Sequence, residues 1–256
     1  MTPLQALILG IVQGLTEFLP VSSSGHLALA EHFLGFKDLD GLIFFDVVCH
    51  VGTLMAIFVV FRHEILHAFR DKTAFGAVVL GTLPLIPLVF LLKPIKHLFD
   101  RLDLLGYFFM MTALLIWLGH KACEKAEKPS RLSPLYIGVF QALAIVPGLS
   151  RSGSTISGAK LLGWPKDKAI TFSFLLAIPA ILGGFILELF QIVKAPSSAP
   201  IDVVPLSIGF IISFSTGFFA LKWLIWAAKE KNLLPFAWYC LILGLWTHLY
   251  FNWLHG

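Results

Sequence analysis

Glu17, Ser23 and His26 sit close together near the start of the chain, and Arg151 lies far downstream between Ser150 and Ser152. A hydroxyl with an imidazole and a carboxylate nearby is the local requirement for an activated nucleophile. Ser22, Ser23 and Ser24 run straight into Gly25, which lets backbone N–H groups approach an anion. Arg151 has the opposite task, since a planar guanidinium fork suits phosphate and needs an anionic partner when buried. Together these residue types point to chemistry on a phosphorylated substrate.

Each has a plainer reading. Serine clusters are common in turns, and Arg151 could simply neutralise Glu17. An acid can also cap a helix or snorkel, but Glu17 is flanked by Phe18, Leu19 and Pro20 in the middle of an apolar stretch. An unpaired carboxylate buried there would cost several kcal/mol, so an acid in this setting is by default a functional residue.

The elements that position these groups are duplicated. Gln13 through His26 and Gln141 through Ser154 follow one pattern at an offset of 128 positions, which also pairs Leu7 with Leu135, Gly10 with Gly138, Leu15 with Leu143, Leu34 with Leu162 and Gly35 with Gly163. Repeats govern how every other feature is read. Two units, 1–128 and 129–256, are expected within a single integral membrane domain, 1–256.

Hydrophobic residues make up 57% of the chain and charged residues 13%, and the mean hydropathy is +0.85. That composition belongs to a membrane protein. The net charge of +4 does not gather on one patch, which argues against nucleic acid. Cys49, Cys123 and Cys240 show no close spacing and read as packed thiols, not as a disulfide framework or a metal cluster. No Lys or Arg precedes Lys37, so the first apolar run lacks the charged start of a cleavable signal peptide and is expected to stay.

Six apolar stretches approach the length of a bilayer span: about 42–61, 74–92, 104–120, 169–193, 203–225 and 236–254. Regions 3–35 and 135–164 differ, each being interrupted by Pro, Gly and Ser. Lipid does not tolerate unpaired backbone there, but a protein-lined cavity does. The expectation is an all-α polytopic membrane protein, six transmembrane helices plus two re-entrant helical hairpins in an inverted-topology repeat. Three spans between the hairpins invert the second copy, and inverted repeats meet near the midplane. This brings Glu17, Ser23 and His26 toward Arg151.

Twelve Lys and Arg residues, from Arg62 and Arg70 to Lys222 and Lys231, gather on one side, against Lys37, Lys93, Lys96, Arg101 and Lys194 on the other. The positive-inside rule makes the first side cytoplasmic, so the first hairpin and both termini face outward. Segment 194–202, with Pro196 and Pro200, reads as a flexible join.

At these motifs the chain resembles the undecaprenyl-diphosphate phosphatase family, the bacitracin-resistance proteins of bacterial membranes. The resemblance rests on (E/Q)-x-x-x-E at Gln13 to Glu17, F-L-P-V-S-S-S-G-H at 18–26, P-G-x-S-R-S-G-x-T at 147–155 and F-S-F-L-L-A-I-P at 172–179. It implies hydrolysis of undecaprenyl diphosphate outside the bacterial inner membrane, with a divalent cation, Mg²⁺ or Ca²⁺. It also implies that bacitracin competes by binding the substrate, and it leaves a homodimer open.

Carried over by motif position, Glu17 assists the metal or positions water, with Gln13 as a weak second ligand. Ser23 is nucleophile or phosphate ligand, His26 acid/base or a competing nucleophile, and Arg151 the diphosphate clamp. Ser22, Ser24, Ser150, Ser152 and Thr155 are further candidates for phosphate contact. Asp46 and His50, one helical turn apart, read either as supports for the site or as a packed polar pair. Gln13 stands where many members carry glutamate, and a neutral amide is no base.

Two other classes compete. A flippase for the same lipid phosphate would share inverted repeats around an anion site. His63-Glu64-Ile65-Leu66-His67 matches the zinc-protease pattern, although its charged surroundings, Arg62 to Lys72, suit a solvated interfacial helix better. The Ser-Gly-His at 24–26 also resembles part of another lipid-phosphatase type, but the basic motif that should precede it is missing.

Overall fold

Breaks in an otherwise helical chain organise the molecule. The computed structural model describes residues 1–36, 42–91, 98, 101–123, 130–194, 202–230 and 233–254, and among them there is no β-strand. Lys37, Lys93, Lys96, Lys125, Lys128 and Lys231 from the charge count lie outside the described residues, as does most of the 194–202 join.

Helix α1 (Pro3–Phe18) starts at a reciprocal cap, in which Thr2 accepts from the Gln5 N–H and the Gln5 side chain accepts from the Thr2 N–H. It stops because Pro20 forces Leu19 into extended backbone. The chain re-enters a helix at α2 (Ser23–Phe33), closed by Gly35 at φ +78°. After the described part of the loop come α3 (Ile43–Val60), the short α4 (Arg62–Arg70) and α5 (Lys72–Thr82). Helix α5 tightens into a 3₁₀ stretch over Leu83–Leu91, where Pro84 and Pro87 withdraw the N–H groups an α-helix needs. Next are α6 (Leu102–Lys121), α7 (Ser133–Leu143), α8 (Arg151–Leu161), α9 (Lys166–Lys194), α10 (Val203–Glu230) and α11 (Leu234–Leu249), the last running into a π-turn at Tyr250–Leu254.

Among the described residues, six helical stretches are long and apolar enough to cross a membrane: Ile43–Val60, Lys72–Leu91, Leu102–Lys121, Lys166–Leu187, Val203–Ala227 and Leu234–Trp253. They match the six expected spans to within a few residues. Helices α1 and α7 are apolar but shorter. Within the charged Arg62–Lys72 stretch, Arg62–Arg70 forms α4, with Ile65 and Ala68 buried and Phe69 exposed, and Asp71 breaks it from α5.

Packing runs between the halves. The most extensive contacts of α1 are with α10, α7 packs on α5, and α6 pairs with α11. Glycines allow this closeness. A methyl group on Gly10 would meet the Gly209 carbonyl, and one on Gly138 would meet the Gly81 carbonyl. Both members of one pair are separated from those of the other by the repeat offset. One core cluster among the described residues includes Phe18, Ile57, Ile116, Phe174 and Leu221, with Leu19 of the first break packed against it.

Candidate active site

The break at 19–22 and the break at 144–150 face each other. Gly25 lies against the Gly148 backbone and Gly153 against Pro20. The Gly148 N–H donates to Ser22 Oγ at 3.1 Å, and Ser152 Oγ donates to the Leu19 carbonyl at 3.1 Å. From α6, Thr112 Oγ1 donates to the Gly148 carbonyl and accepts from the Ser150 N–H, both at 2.9 Å. Cys240 on α11 makes the corresponding contact with the first break, Sγ to the Pro20 carbonyl at 3.6 Å. Thr112 and Cys240, and Gly148 and Pro20, are again related by the repeat offset.

Glu17, on the last turn of α1, meets Arg151, the first residue of α8, through Oε1 and Nη2. The carboxylate's other oxygen accepts from Ser23 Oγ at 2.6 Å and Gln13 Nε2 at 3.0 Å. His50 Nε2 stands 3.7 Å from the same oxygen. Side-chain exposure is 5% for Glu17 and 15% for Arg151, so the pair is largely withdrawn from solvent. Arg151 Nη1 is also buried, yet it has no hydrogen-bond partner among the described residues. A buried donor left unpaired costs about 1–3 kcal/mol, more when charged, and here it lies beside the helix N-terminus, where anions are favoured.

Ser22 is the only non-glycine among the described residues with positive φ, at +71°, a conformation held only when the surroundings over-determine it. Its Oγ also accepts from the Gly25 N–H as the cap of α2. Its carbonyl receives His26 Nδ1 at 2.7 Å, while His26 Nε2 pairs with the Tyr239 hydroxyl at 2.7 Å.

Glu17, Gln13, Ser23, His50 and Arg151 are therefore brought into one cluster, with Ser22 and Ser152 tying the two breaks together. Ser24 Oγ approaches Ser22 Oγ at 3.4 Å. Ser150 caps α8, accepting from the Gly153 N–H. Thr155 is turned into the core, between the Arg151 carbonyl and Ser173 Oγ. The His50 ring bonds the Asp46 backbone carbonyl at 2.7 Å instead of the Asp46 side chain. Sequence reading did not single out Thr112, Ser173 or Tyr239; Ser173 alone had a signal, as part of F-S-F-L-L-A-I-P.

The donors fit a hard divalent cation, which takes oxygen ligands. Gln13, whose Nε2 donates to Glu17, has its Oε1 buried without a partner among the described residues. Among the described residues no three His, Cys, Asp or Glu side chains gather as a metal site. His63 and His67 on α4 therefore have no third ligand of those types beside them.

Fold and site together define a polytopic helical membrane protein with a buried carboxylate–guanidinium centre between two chain breaks. The chain belongs to the bacitracin resistance protein BacA family, whose sequence profile matches residues 6–246. It is 48% identical over 256 residues to an undecaprenyl-diphosphatase of Protochlamydia amoebophila, covering 98% of this chain and 100% of the relative. Its identity to the undecaprenyl-diphosphatase of Carboxydothermus hydrogenoformans is 41% over 259 residues, 96% of each chain. With that of Rhodopirellula baltica it is 40% over 247 residues, 94% of this chain and 95% of the other.

Proposed function

We infer that this chain is an undecaprenyl-diphosphate phosphatase, releasing inorganic phosphate and undecaprenyl phosphate for reuse in cell-wall synthesis, and so conferring bacitracin resistance. The observation that carries the site is Arg151, with Nη2 on Glu17 and Nη1 buried without a hydrogen-bond partner among the described residues.

Ser23 is the nucleophile the geometry favours, because its hydroxyl already donates to Glu17. When the diphosphate enters, its oxyanions draw Arg151 away from Glu17. The Glu17 oxygen that already accepts from Ser23 Oγ is the group placed to serve as base. Glu17 takes the Ser23 proton, Oγ bonds to the terminal phosphorus, and the bond to the bridging oxygen breaks, releasing undecaprenyl phosphate. Water then cleaves the phosphoserine, yielding inorganic phosphate and restoring Ser23. Arg151 and the N–H groups at the start of α8 offset charge on the phosphoryl oxygens in a water-poor site. Glu17 and Gln13 would hold a divalent cation, Mg²⁺ or Ca²⁺, which supplies further charge neutralisation.

The matched contacts Gly10–Gly209 and Gly138–Gly81, together with Thr112–Gly148 and Cys240–Pro20, support an inverted repeat of two units with re-entrant hairpins. The excess of basic residues at the ends around Arg62, Lys121 and Lys166 supports a bacterial inner-membrane orientation with both termini outside. The relatives' names do not favour a flippase or a zinc protease. Phosphate release from undecaprenyl diphosphate by the purified, cation-supplied protein in detergent tests the function; near-normal turnover by Arg151→Ala sinks the site.

A further inference from the structure

The imidazole of His26 is fixed at both nitrogens. Its Nδ1 lies 2.7 Å from the Ser22 carbonyl, and a carbonyl can only accept, so Nδ1 carries the hydrogen. In the neutral ring Nε2 then carries the lone pair, and the Tyr239 hydroxyl 2.7 Å away donates to it. The two rings stack at 5.6 Å between centroids and 9° between planes, while Phe109 presses edge-on at 5.3 Å. Tyr239 is held in place through its neighbour, since Cys240 is fully buried with its thiol on the Pro20 carbonyl. Tyr239 is 46% exposed, so its outer edge stays open while its hydroxyl meets His26.

Architecture alone does not require this arrangement. At the repeat offset, Ser154 stands in place of His26 and Met111 in place of Tyr239, so the second hairpin keeps its fold without a histidine–tyrosine pair. The anchor one residue along is kept in both copies, as Cys240 and Thr112.

We propose that Tyr239 is a positioning residue for the reaction: its hydroxyl holds His26, in the tautomer that the Ser22 carbonyl selects, in the ring orientation in which Nε2 can exchange a proton with the phosphoryl group or its attacking water. Phosphate entering the site displaces the hydroxyl from Nε2, and the stacked ring keeps the imidazole in plane. This rests on the phosphatase reading above.

The test is steady-state phosphate release from undecaprenyl diphosphate by wild type, Tyr239→Phe, His26→Gln and the double variant, each checked for an unchanged melting temperature. Tyr239→Phe keeps the ring and the stack. It is expected to lower kcat about tenfold, a fraction of the usual acid–base contribution, with KM within about twofold. In the His26→Gln background the same change is expected to have no effect, because both act on one proton. Tyr239→His, which retains a ring donor, is expected to recover most of the lost kcat. Wild-type kcat in Tyr239→Phe, or an equal loss with and without His26, overturns the proposal and leaves the phosphatase reading standing. A wild-type protein that releases no phosphate overturns both.

Discussion

The two hairpins share a frame and differ in what the frame holds. In the first, Glu17 is surrounded by Gln13, Ser23, His50 and Arg151, and His26 by Ser22 and Tyr239. In the second, Ile145 replaces Glu17, and among the described residues both amide atoms of Gln141 and Ser154 Oγ are buried without partners. One hairpin carries the acid and the imidazole; the other presents one cation at a helix start. Under the proposed mechanism the same backbone break serves proton transfer in one copy and charge neutralisation in the other, and the two meet where Glu17 pairs with Arg151.

Exchanging matched residues tests that division. Arg151→Ala should have the largest effect, lowering kcat/KM by about 10³-fold, as removal of a transition-state charge partner does; Arg151→Lys should restore little, since it lacks the fork. Glu17→Gln should cost about 10²-fold in phosphate release. Breaking the buried pair from either side should also lower stability by about 3–5 kcal/mol. A Glu17→Gln, Arg151→Met double variant should regain much of that stability and none of the activity, as read by thermal melting beside turnover.

Gln13→Met should impair turnover and cation dependence, whereas Gln141→Met should leave both intact and hold or raise the melting temperature, because it removes amide atoms that have no partner. Loss of activity in Gln141→Met would blur the distinction between the copies. The smallest contrast lies in the anchors. Thr112→Val removes two hydrogen bonds and should cost about 1–2 kcal/mol, while Cys240→Ala, losing a weak thiol donor, should cost less.

Much of this was legible in the sequence because the repeat carries long-range information that single motifs lack. The offset and the odd number of intervening spans placed Glu17 opposite Arg151, and Pro20 and Pro147 marked the breaks. Tyr239 was not legible, since a tyrosine in an apolar span reads as a membrane-interface ring and its partner lies 213 positions away. Thr112 was hidden for a similar reason: hydroxyls in apolar helices usually bond to their own backbone. His50 was placed beside Asp46 by helical spacing, but spacing along α3 says nothing about α1, where Glu17 waits. Hydropathy gave the Lys72–Leu91 span correctly but not its tightening, which follows from Pro84 and Pro87.

The close approach of Gly10 to Gly209 sets a timetable for biogenesis. Helix α1 leaves the ribosome roughly 200 residues before the stretch that cradles it, an interval of about 10–40 s at usual elongation rates. For the first 134 residues of synthesis after Glu17, about 7–27 s, the glutamate waits in or near the bilayer without its arginine. A membrane insertase or chaperone that shelters such a half-made chain would therefore find its client in the first hairpin, and two half-length polypeptides made together should assemble where either alone is degraded.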